Sequence, residues 1–326
     1  MKQELKASPL LFRWESFLLL ILIAVVIANS FLSPYFLDID NIFDTTFNFT
    51  EKALIALPMI FIIILGEIDI SVASIIALSS LFMGLFASLG GNTPLLVFTG
   101  ITVGLLAGMV NGFLVSRFRI PSIAITIGTM SLFRGIAFVI LGDQAFTKYP
   151  ESFQYFGQGY IGDSPVPFEL VVFIVFAVIF GLVLHKTTFG RKTFAIGNNP
   201  TTSLFSGINV RRTKLIIFSL TGLMCGLSSV LLTSRIGSTR PNIANGWELE
   251  IITTVVLGGV SISGGKGNIF GVVIAVFLLG FMRFGMSLLN IPGQFMSIVI
   301  GVLLITAILI PEMLRNFRKT RNSSVA

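Results

Sequence analysis

Charge, cysteine and histidine are what this sequence has least of. One cysteine, Cys225, and one histidine, His185, stand among 326 residues, and Asp, Glu, Lys and Arg together make up only 11% of the chain. A lone cysteine can close no disulfide within one chain and can build no thiolate cluster for a metal. Cys225 lies in an apolar run and reads as a small core hydrophobe rather than a reactive thiol. His185 ends an apolar segment beside Lys186, an interfacial position rather than that of a catalytic base. With no clustered His or Cys and no paired carboxylates within the apolar segments, there is little material for an enzyme. Neither a cofactor nor a metal is called for. The run Gly258 to Gly267 (GGVSISGGKG) lacks the G-x-x-x-x-G-K-[ST] spacing of a phosphate loop, because Lys266 is followed by Gly267. Its glycines read as close helix packing and a tight turn. No second domain, low-complexity stretch or large polar extension is present to hold a nucleotide-binding fold, so any ATPase must be a separate chain.

What the sequence does have is apolar length. It is 54% hydrophobic with a mean hydropathy of +0.93, far from the composition of a soluble domain. Ile70 to Leu89 and Pro94 to Ser116 carry no charge at all. Lipid leaves backbone groups nothing to bond with, so such a chain forms helices or a closed barrel. Runs of this length, without strand alternation, choose helices. The expected fold is an all-α polytopic bundle of about ten spans, near 16–32, 53–66, 70–89, 94–116, 121–141, 168–185, 215–234, 249–263, 269–289 and 294–310. The second and eighth are short, which implies tilt, interruption by glycine or a half-helix among neighbours. Lys2, Lys6 and Arg13 before Phe17 to Ala28 resemble a signal peptide, but the apolar run continues to Leu32 and favours a retained helix.

The net charge of +7 could point to nucleic acid, but its placement points to topology instead. Arg117, Arg119, Lys186, Arg191, Lys192, Arg211, Arg212, Lys214, Arg315, Arg318, Lys319 and Arg321 fall on one side, with both termini, and that side is expected to be cytoplasmic. Asp38, Asp40, Asp44 and Glu51 occupy one opposite loop, and Asp143, Glu151, Asp163 and Glu169 another.

Four groups of residues are candidates for function. The loop 186–214 holds six basic and no acidic residues and a segment punctuated like a helix. Asn199 can cap it, Pro200 suits its first turn, and Gly207 can stop it. This element is either a solvated turn or a docking surface for a cytoplasmic partner. Glu67 and Asp69 fall in a turn before the third span, where helix capping is the simpler reading, with gating, partner contact or a proton relay as alternatives. Arg134 and Arg283 interrupt apolar spans; at the rise of a helix each lies roughly 20 Å from the cytoplasmic end. They either snorkel or line an outer pathway. Arg235, Arg240, Trp247, Glu248 and Glu250 surround an outer loop, where they fit an aromatic belt, surface ion pairs or a docking surface.

Gly190-Arg191, Phe194 to Asn199 (FAIGNN) and Ser206 to Val210 (SGINV) resemble the cytoplasmic loop of sugar-type ATP-binding-cassette importer permeases, the ribose, xylose, rhamnose and autoinducer-2 group. Gly66 to Ser74 (GEIDISVAS), Gly108 to Val115 (GMVNGFLV), Pro121 to Met130 (PSIAITIGTM) and Glu248 to Gly267 resemble the same group in the same order. Ser234 to Glu250 looks most like permeases for rhamnose or autoinducer-2. The resemblance implies a subunit that moves a sugar or sugar-like molecule, such as rhamnose, autoinducer-2 or a pentose, from periplasm to cytoplasm across the bacterial inner membrane. It implies three partners: a cytoplasmic ATPase, a periplasmic sugar-binding protein and a second permease subunit, identical or sister. It makes Gly190, Arg191, Asn198, Asn199, Pro200, Ser206, Gly207 and Asn209 the ATPase-coupling set, and adds Asn111 to Glu67, Asp69, Arg134 and Arg283 as pathway or gating candidates. Arg235, Arg240, Trp247 and Glu248 become candidates for docking the binding protein. Thr201-Thr202-Ser203 departs from the small alanines common in the group. The rival reading is a transporter driven by an ion gradient.

Overall fold

The computed structural model describes residues 14–118, 120–303, 305, 306 and 309. Lys2, Lys6, Arg13, Arg119 and the basic residues from Arg315 to Arg321 lie outside them. The helices are α1 (Trp14–Leu32), α2 (Ile39–Asp44), α3 (Phe47–Ile64), α4 (Val72–Ser88), α5 (Thr93–Phe118), α6 (Ser122–Leu141), α7 (Tyr155–Gln158) and α8 (Phe168–Lys186). They continue with α9 (Thr188–Asn198), α10 (Pro200–Phe205), α11 (Val210–Ile236), α12 (Trp247–Leu257), α13 (Ile269–Leu288) and α14 (Gly293–Leu303). Among the described residues there is no strand, only two isolated bridges, Phe146 with Thr239 and Tyr160 with Pro167. The protein is an all-α polytopic membrane protein. Among the described residues, seven stretches are long and apolar enough to cross a membrane: α1, the α2–α3 unit, α5, α6, α8, α11 and α13. α4 and α14 are shorter apolar helices, and α12 has 11 residues.

α3 is the axis of the bundle. From Ala53 to Ile64 it is apolar all round, and every residue from Phe49 to Ile64 is buried beneath α8, α11, α12 and α13. A helix without a polar face is a core helix. It starts earlier than its apolar run indicates: Glu51 and Lys52, expected in an outer loop, lie inside it and are buried. Ion-pair partners described below make that burial tolerable. α12, one of the two short segments, is a half-helix buried from Ile251 to Leu257.

The most extensive helix pairing joins α5 to α11. Gly100, Gly104, Gly108 and Gly112 recur every four residues on α5; the first three meet Gly222 and Gly226 on α11, and Gly112 meets Leu215 and Phe218. A β-carbon on Gly104 or on Gly108 would lie 2.5 Å from the carbonyl oxygen of Gly222 or Phe218, and one on Gly226 would lie 2.5 Å from that of Gly100. Within lipid, backbones held this close supply the packing that a hydrophobic effect between helices cannot. α1 is held against α13 and the end of α12, with Trp14 Nε1 donating to the Leu257 carbonyl at 2.8 Å.

Side-chain and backbone bonds gather the connections into two ends. At one end Gly265 N bonds the Ile64 carbonyl at 2.8 Å, Ile68 N bonds Ser122 Oγ at 3.0 Å, and Glu67 pairs with Lys214. At the other, Phe146 and Thr239 exchange backbone bonds, Thr93 meets Ser152 at 2.6 Å, and Tyr160 donates to Asp44 at 2.6 Å.

Candidate functional site

The first site is built from the connection between α8 and α11. Thr187 caps α9, its hydroxyl accepting from Gly190 N at 3.4 Å. α9 was not expected; residues 188–198 read as loop. Its buried positions, Gly190, Thr193 and Ile196, recur every three residues but form no apolar stripe, so no hydrophobic period marked the helix along the chain. Gly190 sits against the Leu184 carbonyl, and a β-carbon on Gly197 would strike the Ile64 carbonyl and reach 2.7 Å from Gly265 N. α9 is thereby bolted to the end of α3 and to the Gly264-Gly265 turn, where both glycines have positive φ. The tight turn expected of that glycine run is present.

α10 follows as expected from its punctuation. Asn199 Oδ1 accepts from Thr202 N at 2.9 Å, Pro200 opens the first turn, and Gly207 adopts φ +80°. Ile208 N returns to the Ser203 carbonyl at 3.0 Å, closing the helix C-terminus. Asn209 then caps α11 by accepting from Arg212 N at 2.9 Å. Unlike α9, α10 stands proud: only Ser203 is buried, and Phe205 is 86% exposed. Arg191, Lys192, Asn198, Arg211 and Arg212 are exposed around it. An open groove of about 780 Å³ runs beside it, lined by Val115, Pro200, Leu204, Gly207, Asn209 and Lys214.

The connection from α3 to α4 divides its two carboxylates. Asp69 is buried and does not cap α4 directly; its Oδ1 accepts from Ser71 N at 2.9 Å and from Ser71 Oγ at 2.6 Å, fixing the residue at the N-cap position. Glu67 does not cap either, contrary to expectation; it forms an ion pair with Lys214 on α11. Asn111 on α5 joins the Asp69 group by donating to Ser71 Oγ at 2.7 Å, and Asp69 Oδ2 and Asn111 Oδ1 are buried without a partner.

At the opposite end the arginines have roles that sequence reasoning missed. Arg134 has backbone partners, its Nη1 donating to the carbonyls of Pro241 and Ile243 at 2.8 and 2.7 Å. It pins the segment leading to α12. Arg283 pairs with Glu250 at 2.9 Å, and the same carboxylate accepts from Lys52 at 2.9 and 3.0 Å. Lys52 also sits over the Trp247 ring, 4.8 Å from its centroid. Arg235, in the last turn of α11 rather than a loop, holds buried Glu51 with Nε at 2.7 Å and Nη2 at 3.2 Å. Arg235, Trp247 and Arg283 thus come together, with Lys52, around a pocket of about 340 Å³. Arg240 is exposed, Glu248 is half-buried, and neither lines that pocket.

Residues 41–308 match the family described as "Branched-chain amino acid transport system / permease component". The chain belongs to this permease family. It is 38% identical over 292 residues to the ribose import permease protein of Bacillus subtilis (strain 168), covering 89% of this chain and 90% of that one. It is 35% identical over 301 residues to the autoinducer 2 import system permease protein of Escherichia coli (strain K12), covering 90% and 91%. No solved structure matches it. The part that matches the permease family includes the α9–α10 connection, the Asp69 group and the charged network at the other end; α1 precedes it.

Proposed function

We propose that this permease is the membrane subunit of an ATP-binding-cassette importer that carries a sugar or sugar-like molecule inward across the bacterial inner membrane. The family description names an amino-acid system, whereas the two relatives described above are permeases for ribose and for autoinducer 2, and the sugar reading follows them. In this reading both termini are cytoplasmic, ATP is hydrolysed by a cytoplasmic partner chain, a periplasmic binding protein delivers the sugar, and a second permease, identical or sister, completes the pathway. The observation that carries it is α10: capped at both ends, exposed, with Phe205 projecting among basic residues. An exposed aromatic amid charge is an anchor for a protein partner. Through α9, a push on α10 reaches the end of α3 and the turn before α13.

The test is ATP-driven sugar uptake by the permease reconstituted with its ATPase and binding protein. Phe205→Ala should reduce uptake and ATPase association at least tenfold, about the loss expected of one interface anchor, while leaving expression and thermal stability unchanged. Uptake by the permease alone under an ion gradient, without nucleotide, would establish the rival mechanism.

A further inference from the structure

Glu51 and Lys52, at adjacent positions on α3, both find charged partners, and the two pairs leave a space between them. That space is the pocket of about 340 Å³ at the end opposite α10, within the size range of small-molecule sites. Asn48, Lys52, Arg235, Trp247, Arg283 and Phe284 supply its chemistry. Among the described residues, no carboxylate lines it. Glu51 and Glu250 instead hold the three cations from behind, Glu51 through Arg235 and Glu250 through both Lys52 and Arg283. Each cation is fixed in place and still has N–H donors to spare, because a guanidinium or ammonium offers more donors than these bonds use. Trp247 and Phe284 add aromatic surface.

Cationic donors and aromatic surface in one lining match a monosaccharide, whose hydroxyl and ring oxygens accept hydrogen bonds while its C–H groups form apolar patches. Two carboxylates against three cations leave one residual positive charge where there would be three, so the pocket does not require an anion and can take a neutral ligand. We propose that this pocket binds a neutral monosaccharide directly, giving the permease a sugar contact of its own at the end opposite the coupling helix. The inference rests on reading the chain as a sugar importer subunit.

The chain has only two tryptophans, so fluorescence of the purified full chain in lipid nanodiscs, without ATPase or binding protein, can report on Trp247. D-ribose should produce a saturable change that Trp247→Phe abolishes. Asn48→Ala and Arg283→Met should each weaken it about tenfold, the effect of losing one strong hydrogen bond. Asn48 is exposed and Arg283→Met leaves Glu250 paired with Lys52, so both variants should fold. Inorganic phosphate should give no saturable change. The proposal fails if ribose, arabinose and rhamnose all give no response, if phosphate binds as tightly as the sugars, or if the response survives in both variants. Sugar uptake by the complete importer separates the two levels. Uptake that stays normal in Asn48→Ala and Arg283→Met removes the pocket but keeps the importer reading, whereas a wild-type importer that moves no sugar removes the reading itself.

Discussion

Two single positions show opposite kinds of dependence. Gly207 has open space where a β-carbon would sit, so its requirement lies in the backbone alone, at φ +80°. Gly207→Val should cost about 1–2 kcal/mol locally, disordering the end of α10. It should depress ATP-driven uptake while membrane insertion, followed by expression and extraction, stays intact. Glu51 depends wholly on its partner. Its side chain is fully buried against Arg235, which is 25% exposed. Glu51→Ala leaves that guanidinium without its carboxylate and should lower stability by about 3 kcal/mol, measured as thermal unfolding in detergent. Arg235→Met combined with Glu51→Gln should recover part of the loss, because no unpaired charge is then left behind. Gly207 was legible in the sequence as a stop after a capped turn, since Asn199, Pro200 and Gly207 act within a few residues of one another. Glu51 was not: its charge placed it in a loop, and the partner that allows it inside the bundle lies 184 residues away.

Among the elements, α5 and α11 depend most on close approach. Gly104→Leu would drive a side chain into the Gly222 carbonyl, and neither backbone can yield without parting the pair. Folded yield after detergent extraction should collapse, whereas Gly128→Leu on α6, where the added group meets nothing within 4 Å, should be tolerated. Size-exclusion profiles of the two variants decide the matter. The four-residue glycine period on α5 is visible in the sequence, but which helix answers it is not. α9 was overlooked for a related reason: its buried face carries Gly190, Thr193 and Ile196, too small and too polar to register as an apolar stripe, and its role is to fit against Ile64 and Gly265. The shortness of α12 was legible in its apolar core, but the same signal marked the second segment, which is the full helix α3, because buried charge at its start hid its length.

For the molecule as a whole, the two ends carry the functional argument, and their exposure to opposite sides can be measured. Cys225 is buried, so the native chain offers a quiet background for thiol labelling. With Phe205→Cys, an impermeant maleimide should react only after the inner face is opened; with Arg240→Cys it should react on intact cells. The reverse pattern would invert the topology and remove α10 from the ATPase. Composition and the placement of basic residues by themselves determined an all-helical membrane protein with one strongly basic connecting loop. A lipid solvent dictates apolar length, and local capping dictates where short helices stop. Only the tertiary structure decided that Arg134 pins a connecting segment, that Glu67 reaches Lys214, and that Lys52 and Arg283 share Glu250 around a pocket. Those pairings join residues as far as 198 positions apart. No periodicity along the chain encodes them, because a buried charge selects its partner through the packing of helices.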